Sequence, residues 1–181
     1  ASQPEDGNNP IFALSELVLK IREDTNQSIA TAVGVNAGGE DFGIAPGEGI
    51  ASFTLRAEKE SEITDKRNLL LRYADEAAKK YELEWTYRES DVFPETVNDL
   101  RLAAHVKDTA EKIGLNVIKL EKPFRSSEDF GHYQKKCPGI MIYIGNGNGY
   151  PQIHTEKYDF NDDIIETAVT LMGALIKYRF C

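Results

Sequence analysis

The apolar run Ile140-Met141-Ile142-Tyr143-Ile144 constrains this chain more than any other stretch. It is bounded by Cys137-Pro138-Gly139 before it and by the loop Gly145-Asn146-Gly147-Asn148-Gly149 after it. A short apolar run between such turn residues reads as a buried strand, which needs neighbouring strands and covering helices. Beyond the strand on either side lie polar segments, Arg125-Ser126-Ser127-Glu128-Asp129-Phe130-Gly131-His132-Tyr133 and Ile153-His154-Thr155-Glu156-Lys157-Tyr158-Asp159-Phe160-Asn161. Loops at strand ends are where α/β proteins place their chemistry.

The rest of the chain alternates between the two periods of regular structure. Pro10 opens a helix to about Glu23, with Ile11, Leu14, Leu17, Val18 and Ile21 on one face. Ile29, Thr31, Val33 and Val35 alternate with small or polar residues, which predicts a half-buried strand over 27–36. A glycine- and proline-rich loop follows, then a second strand with Ala51, Phe53, Leu55 and Ala57 on one face. A helix capped by Ser61 or Thr64 carries Ile63, Leu70, Tyr73, Ala74, Ala77, Ala78 and Tyr81 inward. Leu83, Trp85 and Tyr87 alternate with polar residues as a third strand.

That order, αββαβ, is a ferredoxin-like βαββαβ unit without its first strand. The absent strand would lie inside the sheet, so its loss leaves unpaired backbone groups on both sides of a gap, and the chain reads as truncated. Residues 91–98, with Phe93-Pro94, are the expected linker, which gives a first domain over 1–91 and a second over 92–181. In the second, a helix over 99–113 ends at Gly114, a short strand spans 116–120, and a helix capped by Ser126 or Ser127 spans 127–136. After the apolar strand and its glycine loop, a helix over 162–178 turns Ile164, Ile165, Ala168, Leu171, Met172 and Leu175 inward. The fold class is α/β in the broad sense, α+β in detail, with a partial second domain.

Composition narrows the partners. A formal charge of −9 over 181 residues argues against nucleic acid and against an anionic membrane surface. Two cysteines, Cys137 and Cys181, are too few for a disulfide framework. No apolar run approaches the roughly 20 residues that span a bilayer. A cytoplasmic location is the expectation, with export left open because the chain does not begin at methionine.

Several residues are candidates for chemistry. His154 follows the strand and the glycine loop, with Glu156 and Asp159 nearby, so it is either a metal ligand or a surface histidine. Spacing does not choose, because no second ligand stands at a diagnostic interval. Ser127-Glu128-Asp129 reads on local grounds as a helix cap with an acidic first turn, and less simply as a nucleophile beside carboxylates. His132 reads as a surface residue or one supporting a ligand, His105 as structural, and Cys137 as a core or loop thiol. The run 145–149 lacks the lysine of a phosphate-binding loop and opens no helix, so it is a plain turn or a substrate-approach loop.

Ser127-Glu128-Asp129-Phe130, Pro138-Gly139, Gly145, His154 and Tyr158-Asp159-Phe160-Asn161-Asp162 together resemble the carboxyl-terminal part of the M20 metallopeptidase family. The resemblance is strongest to the branch that hydrolyses N-acyl amino acids and hippurate-type conjugates. Residues 1–10 resemble the stretch after a histidine in that family's lid domain, and Ser52–Arg56 its strand ending in Leu-Arg.

The resemblance implies a two-metal amide hydrolase, usually of zinc, in which a carboxylate activates a bridging water. It implies His154 as the metal ligand in this chain, and Ser127, Glu128, Gly145, Asn146 and Arg56 on the substrate side. The remaining ligands and the general-base glutamate have no counterpart here, so the chain alone is expected to be inactive. It further implies a homodimer through the lid. One departure bears on substrate: many members carry asparagine before an Ile-Pro in the lid loop, whereas Phe42-Gly43-Ile44-Ala45-Pro46 stands here. A non-catalytic dimerisation module, and an aminopeptidase or dipeptidase of the same family, are the alternative readings.

Overall fold

The computed structural model describes residues 2–24 and 28–180. It forms two compact units, the first running to Glu95 and including Pro123–Ser126, the second comprising Thr96–Lys122 and the chain from Ser127 onward.

The first unit is two helices and one antiparallel strand pair: α1 (Pro10–Glu23), β1 (Ile29–Ala37), β2 (Gly49–Arg56) and α2 (Glu60–Lys80). Asn9 starts α1 by accepting the Ile11 N–H at 2.9 Å, and Pro10 fills the position whose N–H would go unused. Ala13, Leu17 and Ile21 form the buried stripe of α1, while α2 buries Ala77 and Ala78. At β2's first residue, Gly49, a Cβ would fall 2.9 Å from Ala37 Cβ and 2.7 Å from Leu14 Cδ1, so a side chain there would push its neighbours on β1 and α1 aside.

The two helices are also joined by charge. Lys66 Nζ sits 2.5 Å from Asp24 Oδ2, with the two side chains 2% and 8% exposed. At the rim, Glu16 accepts from Lys80 Nζ at 2.6 Å and from the Tyr81 hydroxyl at 3.1 Å, and Lys20 donates to Glu76. The bond from Lys80 is the chief reason the Glu16 carboxyl lies below the usual carboxylate range, and the bond to Glu76 the chief reason Lys20 lies above its own.

The second unit is helical where it is regular: α3 (Leu100–Lys112), the short α4 (Phe130–Gln134) and α5 (Ile164–Phe180). Asp99 Oδ1 accepts from the N–H groups of Arg101 and Leu102, both at 3.0 Å, and so caps α3. Gly114 ends the helix at φ +82°, letting Leu115 N–H reach back to Ala110 C=O at 2.9 Å. Helices α3 and α5 pack on each other, burying Thr109, Ala110 and Leu171, and Lys112 lies over the Tyr178 ring.

The expected α+β class holds, and α1, α2, α3 and α5 form where the periodicity places them. Three expected strands do not form: among the described residues 83–87, 116–120 and 140–144 carry no ladder, and the sheet has two strands. The cause is pairing: an extended segment becomes a strand only when it ladders with a partner, and these make no backbone ladder among the described residues. The β1 side chains also differ from expectation. Residue 33 is an extra residue opposite the Phe53/Ser52 step, a bulge that breaks the alternation, and Val33 and Val35 are 62% and 53% exposed. Residue 27 of the expected strand lies outside the described residues.

Helix ends differ as well. Helix α2 begins at Glu60 rather than at Ser61 or Thr64, because the Glu95 carboxylate accepts the Glu60 N–H from 35 residues away. Helix α4 begins at Phe130, so neither Ser126 nor Ser127 caps it. On α5, Ile165 and Met172 face outward, since α3 covers only one side of a helix that is apolar over most of its circumference.

Two consequences are measurable. Lys66→Met leaves the Asp24 carboxylate buried without its cation and costs about 3 kcal/mol. A fall in the urea midpoint at unchanged slope reads this, and the double change with Asp24→Asn recovers most of the loss. Because Glu16 is depressed, its contribution is complete above its unfolded pKa and fades as pH falls through the lower folded value. Glu16→Gln therefore flattens the acid limb of stability measured by thermal melts across pH, and an acid limb identical to wild type contradicts the linkage.

Candidate functional site

In the second unit the polar loop after residues 140–144 is held by its own side chains. Gly147 and Gly149 take positive φ (+88° and +79°), which turns the chain out of the apolar segment. Tyr150 donates its hydroxyl proton to the Asp159 carbonyl at 2.9 Å, and its ring meets Tyr158 edge-on at 6.2 Å. Burial, followed by the charge of Asp159, raises the Tyr150 phenol above its ordinary value, so it stays a donor. Thr155 Oγ1 donates to the Gln152 carbonyl at 2.7 Å, and Tyr158 N–H to the Thr155 carbonyl at 3.0 Å. These bonds close a compact turn around His154.

His154 itself is exposed and sits at φ +65°, in the left-handed region. Outside glycine that conformation costs about 1 kcal/mol and persists only where the surroundings impose it. An open groove of about 580 Å³ lies beside it, lined by Gly149, Pro151, Gln152, Thr155, Glu156 and Lys157.

The other expected site residues are placed as follows. Ser127 and Glu128 are exposed in the extended approach to α4, Gly145 is exposed, and Asn146 is half-buried with a carbonyl oxygen that is buried without a hydrogen-bond partner. Arg56 belongs to the first unit, at the end of β2, where its Nη1 donates to the Arg125 carbonyl at 2.7 Å. His132 is exposed on α4, and Cys137 is an exposed loop thiol 3.7 Å from the Tyr133 carbonyl. His105 is half-buried on α3, its Nε2 buried and unpartnered.

Among the described residues, no group of three or more histidine, cysteine, aspartate or glutamate side chains stands close enough to hold a metal ion. Glu156 and Asp159 therefore do not complete a ligand set around His154. The donor chemistry fits one corner of a divalent site, not a whole one.

Two residues that periodicity does not flag organise this unit. The Asn98 side-chain amide brackets Met141, donating to its carbonyl at 2.9 Å and accepting its N–H at 2.8 Å. Gln134 does the same to Val97, at 2.9 Å in each direction. Each amide supplies the two hydrogen bonds a neighbouring strand would otherwise make.

Among the described residues, no helix is long and apolar enough to cross a membrane. An uncharacterized hydrolase of Staphylococcus aureus (strain bovine RF122) is 24% identical over 143 residues, 76% of this chain and 37% of that protein. One from Staphylococcus saprophyticus is 23% identical over 131 residues, covering 70% and 34%. The chain thus spans little more than a third of the curated relatives it matches. Its backbone is similar to the YXEP protein of Bacillus subtilis, described as a dinuclear metal binding peptidase from the M20 family. The TM-score is 0.77 at 20% identity, over 92% of this chain and 45% of that one. A putative aminohydrolase from methicillin-resistant Staphylococcus aureus gives 0.70 at 20% identity, over 97% and 48%. At such identity these likenesses speak to fold. The model of peptidase family M20/M25/M40 matches residues 5–178, and the chain belongs to that family.

Proposed function

We propose that this chain is the lid and the carboxyl-terminal catalytic segment of a two-metal amide hydrolase acting on N-acyl amino acids or small peptides. The observation that carries the reading is His154. An exposed imidazole is held in the left-handed region by a hydrogen-bonded turn, inside a chain matched by the family model almost end to end.

His154 would supply one nitrogen ligand, an imidazole that must be neutral to coordinate. A divalent metal held there, zinc by the family resemblance, would supply Lewis-acid polarisation of the amide carbonyl and a bound water with a pKa near neutrality. The chain's own contribution is orientation. Ser127, Glu128, Gly145 and Asn146 are the substrate-side groups. Phe42 and Ile44, 97% and 70% exposed, give the lid hairpin an apolar tip. The edges of the two-stranded sheet favour a homodimer through the first unit.

Two measurements test this. The purified 181-residue chain has no chelator-sensitive turnover of an N-acyl amino acid, since one histidine does not make a two-metal site. Turnover that chelator abolishes sinks the claim that the chain is only part of the site. In the longer protein of which this is a segment, His154→Ala lowers metal content and hydrolysis together while thermal stability moves by no more than about 0.5 kcal/mol. A variant that keeps its metal, measured by elemental analysis, and its activity removes His154 from the site.

A further inference from the structure

The chain passes between the two units three times, at 95/96, 122/123 and 126/127, because Pro123–Ser126 belongs with the first unit while the residues on either side belong with the second. Four residues are too few to fold alone, so the first unit must hold them. One hydrogen bond that does so comes from Arg56 Nη1 and ends on the Arg125 carbonyl at 2.7 Å. Arg56 is the last residue of β2 and is laddered to Ile29 of β1, so its guanidinium is carried on a paired strand end. A guanidinium donor makes this a charge-assisted bond, stronger than one between neutral groups.

We propose that Arg56 is a positioning residue: it latches residues 123–126, where the polar run opens at Arg125, to the strand pair. It acts through the Arg125 carbonyl, so the effect is on where the polar run starts. The latch rests on one side-chain-to-backbone hydrogen bond and stands or falls independently of the amide-hydrolase reading.

The carbonyl that Arg56 holds is also the one an arginine-specific protease attacks when it cuts Arg125–Ser126. A protease needs the bond and its flanks drawn into its cleft, so cleavage reads the released population. Arg56→Met in the full 181-residue chain is expected to raise the cleavage rate at Arg125–Ser126 about three- to tenfold. The bonds after Arg22 in α1 and Arg72 in α2 serve as internal references, because helix must unravel before they are cut. Their rates stay at wild-type values if the change is local. Arg56→Lys keeps a cationic donor and restores part of the protection, which a general loosening of the unit does not reproduce. Equal cleavage at Arg125 in Arg56→Met and wild type overturns the latch. So does a parallel rise at Arg22, Arg72 and Arg125, since the substitution then acts on the whole unit.

Discussion

The constraint on which this structure turns is that every backbone donor and acceptor must find a partner. One antiparallel pair, β1 with β2, forms a ladder, and α1 and α2 pack around it. Elsewhere extended segments solve the problem with side chains. Asn98 takes both polar groups of Met141, Gln134 takes both of Val97, and the Asp99 N–H donates to the Gly139 carbonyl at 3.0 Å. These bonds tie the start of α3 to the apolar run and to α4. The second unit is therefore organised by amide side chains and one helix pair, not by a sheet.

The same constraint explains what was legible in the sequence. Helices satisfy their backbone within themselves, so apolar spacing alone located α1, α2, α3 and α5. A strand depends on a partner that its own residues do not specify. Leu83, Trp85 and Tyr87 alternate as a strand should yet join no ladder among the described residues, and the apolar run 140–144 remains unladdered. Helix starts set by distant groups were equally illegible, since nothing near Glu60 announces that Glu95 will accept its N–H. The bulge at residue 33 is a third case: one extra residue reverses the faces that follow, while the local pattern looks unbroken.

At the candidate site, residue types were legible and geometry was not. His154, the 127–129 run and the glycine loop all stand out by composition and by family resemblance. That His154 sits in the left-handed region, that Tyr150 pins the loop through the Asp159 carbonyl, and that Arg56 reaches Arg125 follow from contacts no spacing rule contains. Arg56 and Arg125 are 69 residues apart and carry the same charge, so a search for complementary pairs would pass over them.

Among the described residues the buried hydrophobic core is small, and four of its seven members are alanine: Ala13, Leu17, Ile21, Ala77, Ala78, Ala110 and Leu171. Alanine buries little area, so hydrophobic stabilisation per residue is modest, and individual polar contacts decide more than they would in a larger core. In the first unit that weight falls on the Lys66–Asp24 pair, whose low exposure makes it costly to break. In the second it falls on the two amide brackets and on the Lys112–Tyr178 contact that joins α3 to α5. Helix α5 meanwhile presents Ile165, Val169, Met172 and Ile176 outward, four apolar residues on one helical stripe. A unit that exposes such a stripe while burying only Ala110 and Leu171 of its apolar side chains, among the described residues, has specified its local structure more completely than its packing. This is why the turn around His154 owes its shape to its own hydrogen bonds rather than to a core beneath it.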